Sequence, residues 1–187
     1  MIRAGDFKNG TTYEDGGEIF QVIWFQHHKP GKGGAVVRLK IKNLNKGTTV
    51  ETSMKPEVKF RPIDIIRRNK SYVYKDNSGY HFMDLETYEQ EFLNADTIGD
   101  QSKYLKEEMQ VIGVYIDDKF TSIEIPVNVV YEIAHTEPGV KGNTAQGAKK
   151  PATTDTGAEI QVPLFINIGD KIRVNTSTGE YVERAND

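Results

Sequence analysis

The sequence predicts a mainly β protein of three small β-barrel units, beginning with an SH3-like barrel. Three observations carry this. Short runs rich in Val, Ile, Tyr and Phe recur along the chain, parted by Gly, Asn, Asp and Pro at the close spacing of barrels and sandwiches. One run alternates cleanly, with Val37, Leu39 and Ile41 on one face and Arg38, Lys40 and Lys42 on the other. Only one stretch, in the middle of the chain, has a plausible helical pattern.

Taken in order, "EIFQVIWFQHHK" and "AVVRLKIKNL" read as facing strands across "PGKGG". "NKGTT" turns into "VETSM", and "VKFRPIDI" closes the first unit with a proline that ends pairing. From Arg67 the pattern restarts with "SYVYKDNSGYHFMD", in which "KDNSG" supplies hairpin-turn residues. A helix is expected at "TIGDQSKYLKEEMQ", capped by Asp100 or Ser102, with Tyr104, Leu105 and Met109 facing inward. "MQVIGVYI" and "FTSIEIPV" follow, so strand, strand, helix, strand, strand suits an OB-like barrel. The third unit opens with "NVVYEIAHTEP", enters a long polar loop from Gly139 to Gly157, and resumes with "AEIQVPLFINIGDKIRVNTSTGEYVER". That loop is too long for a tight turn. The expected domains are 1–64, 65–127 and 128–187, with joints near Ile63 to Arg67 and Pro126 to Asn128.

Composition removes several function classes. The 187 residues include no cysteine, so disulfides, thiolate metal sites and Cys nucleophiles are excluded. His27 and His28 are adjacent while His81 and His135 stand alone, and none has metal-site spacing, so no metal or cofactor is expected. No apolar run of about 18 residues exists, and the start "MIRAGDFKNG" lacks a secretory apolar core, so no membrane partner and a cytoplasmic location are expected. The net charge of −3 is unevenly spread. The segments 1–64, 65–127 and 128–187 carry +4, −5 and −2, which directs a polyanion to the first unit alone.

The loop "HHKPGKGGA" sits in that basic unit. It is no Walker A loop, because Lys32 is followed by Gly33 rather than Ser or Thr, and a strand rather than a helix comes next. An exposed turn also fails to desolvate Lys32 as a Schiff-base lysine requires. Two readings stay open: a plain β-turn in which Pro30 precedes tolerant glycines, or a thin probe. Gly31, Gly33 and Gly34 strip the tip to backbone, so the Lys32 ammonium arrives alone as a point charge. Lys29, Arg38, Lys40 and Lys42 can then meet phosphates.

Three blocks, "KPGKGGAVVRLKIKNL", "YHFMDLETYEQ" and "TEPGVKGNTAQGAKKPATTDTGAEIQVPLFINIGD", resemble the bacterial translation elongation factor P family, and the likeness spans the chain. The resemblance implies a KOW, or SH3-like, domain followed by two OB-fold domains. It implies a non-enzymatic factor that binds the 70S ribosome between the P and E sites and relieves stalling at consecutive prolines. Lys32 would reach the CCA end of the P-site peptidyl-tRNA, extended in many members by a lysine-modifying enzyme through β-lysylation or an aminopentanol group. Gly142, Asn143 and Thr144 fall where the family has Gly-Asp-Thr near the E-site mRNA codon, with Asn143 departing from the pattern. The ending "GEYVER" makes Tyr181 and Arg184 candidates for rRNA contact in the small subunit, or simply parts of a last strand. The alternatives are a general single-stranded RNA-binding OB protein, a paralogue with other targets, and an enzyme, which lacks an assembled acid, base or metal set.

Overall fold

The computed structural model describes residues 1–139 and 147–186. Two compact units form, one from 1–66 with 115–119 and one from 67–114 with 120–187. The chain is mainly β, and its sheets are curled and barrel-like.

In the first unit the strands are β1 (Ile2–Arg3), β2 (Thr12–Asp15), β3 (Glu18–His28), β4 (Val36–Asn43), β5 (Thr49–Met54) and β6 (Lys59–Pro62). They join in one sheet of order β1-β6-β2-β3-β4-β5. The alternation read in β4 holds, for Val37, Leu39 and Ile41 are buried while Arg38, Lys40 and Lys42 are exposed. Those apolar side chains meet Phe7, Tyr13, Val22 and Phe60 in the core, where the Phe7 and Tyr13 rings stack at 4.8 Å. β6 ends on Pro62, as its missing N–H requires. Arg61 bridges Glu14 and Asp117 within the unit, the latter at 2.9 Å, and Asp117 also accepts from the Asp64 N–H.

The second unit holds two five-stranded sheets. The first has β7 (Ile65–Asp76, entering from the first unit), β8 (Gly79–Asp84), β9 (Gln90–Leu93), β10 (Gln110–Ile116) and β11 (Lys119–Glu124), in the order β11-β10-β7-β8-β9. The second has β12 (Asn128–Thr136), β13 (Lys149–Thr154), β14 (Glu159–Pro163), β15 (Lys171–Asn175) and β16 (Glu180–Arg184), in the order β14-β13-β12-β15-β16. The "KDNSG" turn forms as read, with the Asp76 carboxylate accepting from the Ser78 and Gly79 N–H groups.

Three local readings need correction. The expected helix is a single turn, α1 (Ala95–Ile98), capped by Asn94, whose side chain accepts from the Thr97 N–H at 2.8 Å. Gly99, at φ 59° and ψ −138°, leaves α geometry, and a 3-10 segment runs to Tyr104. Tyr104 packs with the core of the last sheet, where the Tyr131 hydroxyl donates to its carbonyl at 2.6 Å. The second correction is β9, an edge strand whose "QEFL" has too few apolar residues to announce itself. The third lies in the expected loop, where 149–154 form β13. Its inward residues are Lys150, Ala152 and Thr154, small or polar, so period two is invisible in hydropathy. The Lys150 ammonium donates to the Glu137 carbonyl at 2.6 Å, and Thr154 accepts from the Ala158 N–H. Pro151 is tolerated because pairing with β12 stops at Ala152.

Two buried charged groups in the central sheet, Lys70 and Asp84, are likewise paired. Lys70 is fully buried, its ammonium 3.3 Å from Glu91 and 4.7 Å from the centre of the Phe120 ring. Asp84 is also buried and accepts from Arg68 at 2.6 Å and from the N–H groups of Glu86 and Thr87. The Arg68 guanidinium, aided by those N–H groups, holds its carboxyl well below the usual carboxylate range. A depressed folded value means stability is full above the unfolded value, about 3.9, and is lost as pH falls through the lower folded one. Asp84→Asn should therefore cost about 1–3 kcal/mol at neutral pH and flatten the acid limb of a melting-temperature profile. An unchanged profile would show that Asp84 does not drive acid unfolding.

Candidate functional site: a basic hairpin with a lysine tip

β3 and β4 pair up to His28 and Val36, leaving 29–35 as the tip. From Lys29 to Gly34 every residue of the tip is exposed. Among the described residues Lys32 has no hydrogen-bond or ion-pair partner. Only Gly33 needs glycine for its backbone, at φ 124°. A Cβ added at Gly31 or Gly34 would meet nothing within 4 Å. Gly79 is the contrast, for a Cβ there would stand 2.2 Å from the Leu93 carbonyl oxygen. Internal packing thus explains Gly79 and leaves Gly31 and Gly34 unexplained. Their effect is external, since they keep the tip thin on both sides of Lys32.

Among the described residues the cations of the hairpin are left without ion pairs. Elsewhere in the unit Arg3 pairs with Asp6, Lys46 with Glu18, and Arg61 with Glu14 and Asp117. Lys29, Arg38, Lys40 and Lys42 form no ion pair among the described residues, and all four are exposed. Arg38, Lys40 and Lys42 make a row along β4 leading away from the tip. Lys40 faces Glu51 of β5 in the register without bonding to it. A row of unpaired cations behind a thin cationic tip suits a polyanion with an opening that admits the tip.

The remaining candidates are not brought to this hairpin. Tyr181 lies on β16 and packs against the last core, and Arg184 donates to Asp170 at 3.0 Å. Gly142, Asn143 and Thr144 lie outside the described residues. Among the described residues, no three His, Asp or Glu side chains are grouped to hold a metal ion, and no helix is long and apolar enough to cross a membrane.

Sequence reasoning missed Trp24. Strict alternation from buried Val22 would turn Trp24 inward and Phe25 outward. Instead the register jumps from Val22 opposite Ile41 to Trp24 opposite Lys40, so Ile23 is an inserted bulge residue. Beyond it Phe25 packs on the core and Trp24 is 45% exposed on the basic face. The signal was present in "VIWFQ", where apolar Phe25 and polar Gln26 are out of phase with Val22.

The fold and site define a multi-barrel β protein that presents a lysine-tipped basic hairpin. The elongation factor P KOW-like domain matches residues 3–60, the elongation factor P OB domain 65–123, and the elongation factor P C-terminal domain 129–184. A protein named elongation factor P from Thermoanaerobacter sp. is 52% identical over 184 residues, covering 98% of this chain and 100% of that one. Another so named, from Acetivibrio thermocellus, is 52% identical with the same coverage. A solved translation initiation factor eif-5a family protein from Naegleria fowleri has a TM-score of 0.50 at 16% identity, covering 66% of this chain and 96% of that chain, a likeness of fold alone. The chain belongs to the elongation factor P family of translation elongation factors.

Since Gly31, Lys32 and Gly34 are exposed and a Cβ at either glycine would meet nothing within 4 Å, Lys32→Ala, Gly31→Ala and Gly34→Ala should each change stability by no more than about 0.5 kcal/mol in a denaturant titration. A larger loss from any of them would mean that the tip is a structural turn.

Proposed function

We propose that this chain binds the ribosome between the P and E sites and stimulates peptide-bond formation at consecutive prolines by positioning the P-site peptidyl-tRNA. The three modules 1–64, 65–127 and 128–187 are its working units, with the first directed to the tRNA. The observation that carries this reading is the solitary Lys32 ammonium on a tip thinned by Gly31 and Gly34, which the fold itself does not need. Lys32 is the contact to the CCA end and the residue a modifying enzyme would extend. Arg38, Lys40 and Lys42, with Lys29, meet the backbone phosphates behind it.

The physical logic is orientation. Proline is an N-substituted, constrained nucleophile, so bond formation slows whenever the peptidyl-tRNA end strays from attack geometry. Holding that end converts lost entropy into rate without any catalytic group from the factor. The ribosome supplies the chemistry. Tyr181 and Arg184, on edge strand β16, are proposed as a second contact with rRNA, and Gly142, Asn143 and Thr144 as a contact with the E-site codon. The Asp170 partner of Arg184 does not prevent this, because the Arg184 side chain is still 53% exposed.

In reconstituted translation of a template encoding three consecutive prolines, the protein should speed synthesis, and Lys32→Ala should remove roughly tenfold or more of the gain. A factor that speeds no proline template, whether taken from its native host or made unmodified, would end the proposal. Acceleration confined to other stalling sequences would instead favour a paralogue with different targets. Fragmentation across 27–38 of protein from its host should locate any added mass on Lys32; added mass on Lys29 would assign the tip contact wrongly.

A further inference from the structure

The bulge at Ile23 has a consequence beyond register. It moves the indole of Trp24 out of the core phase and onto the face that carries Arg38, Lys40 and Lys42. Burying a large aromatic ring stabilises a small barrel, so exposing one forgoes that gain. Trp24 makes no ring stack and no cation–π contact among the described residues, and Phe25 occupies the core position in its place. Beside the indole lies a shallow depression of about 340 Å3 lined by Trp24, Arg38, Leu39, Glu51, Thr52 and Ser53. The indole, the Arg38 guanidinium and the Glu51 carboxylate thus line one depression, and Lys40 stands opposite Trp24 and Glu51 in the strand register.

We propose that this face takes an unpaired RNA nucleotide, its base stacked on Trp24 and its phosphates held by Arg38 and Lys40. The inference rests on the reading that the hairpin faces RNA, and adds that the contact is to a single strand. Charge complementarity selects a polyanion, because neither cation has a partner within the described residues. The indole selects an unpaired base over a duplex, since a paired base keeps its faces inside the stack. Glu51 gives the site its preference, as a carboxylate accepts from the exocyclic amine of cytosine. Uracil has no amine to offer it. Trp24 stands four residues before the end of β3, roughly 13 Å along the strand, so a strand whose end meets Lys32 could pass over it.

The chain holds one tryptophan, so its fluorescence reports this position alone. Labelled oligocytidylate bound to the full chain at low salt should quench that emission, and an RNA duplex of equal length should not. Trp24→Ala should weaken oligocytidylate binding by roughly tenfold, measured by anisotropy, and Trp24→Phe much less. Arg38→Ala and Lys40→Ala should each lower the salt slope of single-strand binding by about 0.7. Oligouridylate should bind less tightly than oligocytidylate, and equal binding would overturn the role of Glu51. The stacking proposal is overturned if bound oligocytidylate leaves the emission unchanged, if duplex quenches equally, or if Trp24→Ala binds as the parent does. Proline rescue that persists without quenching removes this inference and leaves the translation reading standing. Quenching without proline rescue does the reverse.

Discussion

The burial of Val37, Leu39 and Ile41 against Phe7, Tyr13, Val22 and Phe60 sets the register of β4, and with it the direction of Arg38, Lys40 and Lys42. Because side chains alternate along a strand, sinking three apolar residues obliges Arg38, Lys40 and Lys42 to face water. The same pairing carries β3 and β4 together as far as His28 and Val36, so Lys32 is held off the body at the end of a paired ribbon. A shift of one residue would exchange the two faces and bury the cations. Their cost of burial makes that alternative inaccessible.

The second unit shows the opposite arrangement, with charged groups taken inside and satisfied. Lys70 lies between Glu91 and the Phe120 ring, and Asp84 is gripped by Arg68 and two backbone donors. Gly113 leaves room for this, as a Cβ there would sit 2.7 Å from the Lys70 side chain. Tyr104 ties the central sheet to the last one through the Tyr131 hydroxyl, and the Thr156 hydroxyl donates to the Lys103 carbonyl beside it. Charge in this unit is thus spent on internal order, whereas on the hairpin it is left facing outward. That division supports the proposal that RNA is met by the first unit.

Much of this was legible in the sequence where period two coincided with hydropathy, as in β4, or where turn chemistry was explicit, as in the turn at Asp76. It failed where the inward residues were small or polar. β13 buries Lys150, Ala152 and Thr154, which look like loop residues until a carbonyl of Glu137 and an N–H of Ala158 are brought against them. The helix was legible only in part: Tyr104 and Leu105 are buried as expected, but Gly99 leaves α geometry after a single turn and a 3-10 segment follows.

The sequence alone determined the strand-rich composition, the concentration of positive charge in 1–64 and the isolation of one lysine among glycines, because each is a property of neighbouring residues. Tertiary structure decided which glycines the fold needs, which cations are neutralised, and that Trp24 looks outward. Those depend on atoms brought together from distant positions. A bulge is the plainest case, since one inserted residue reverses the facing of all that follow, and only the partner strand reveals where it falls.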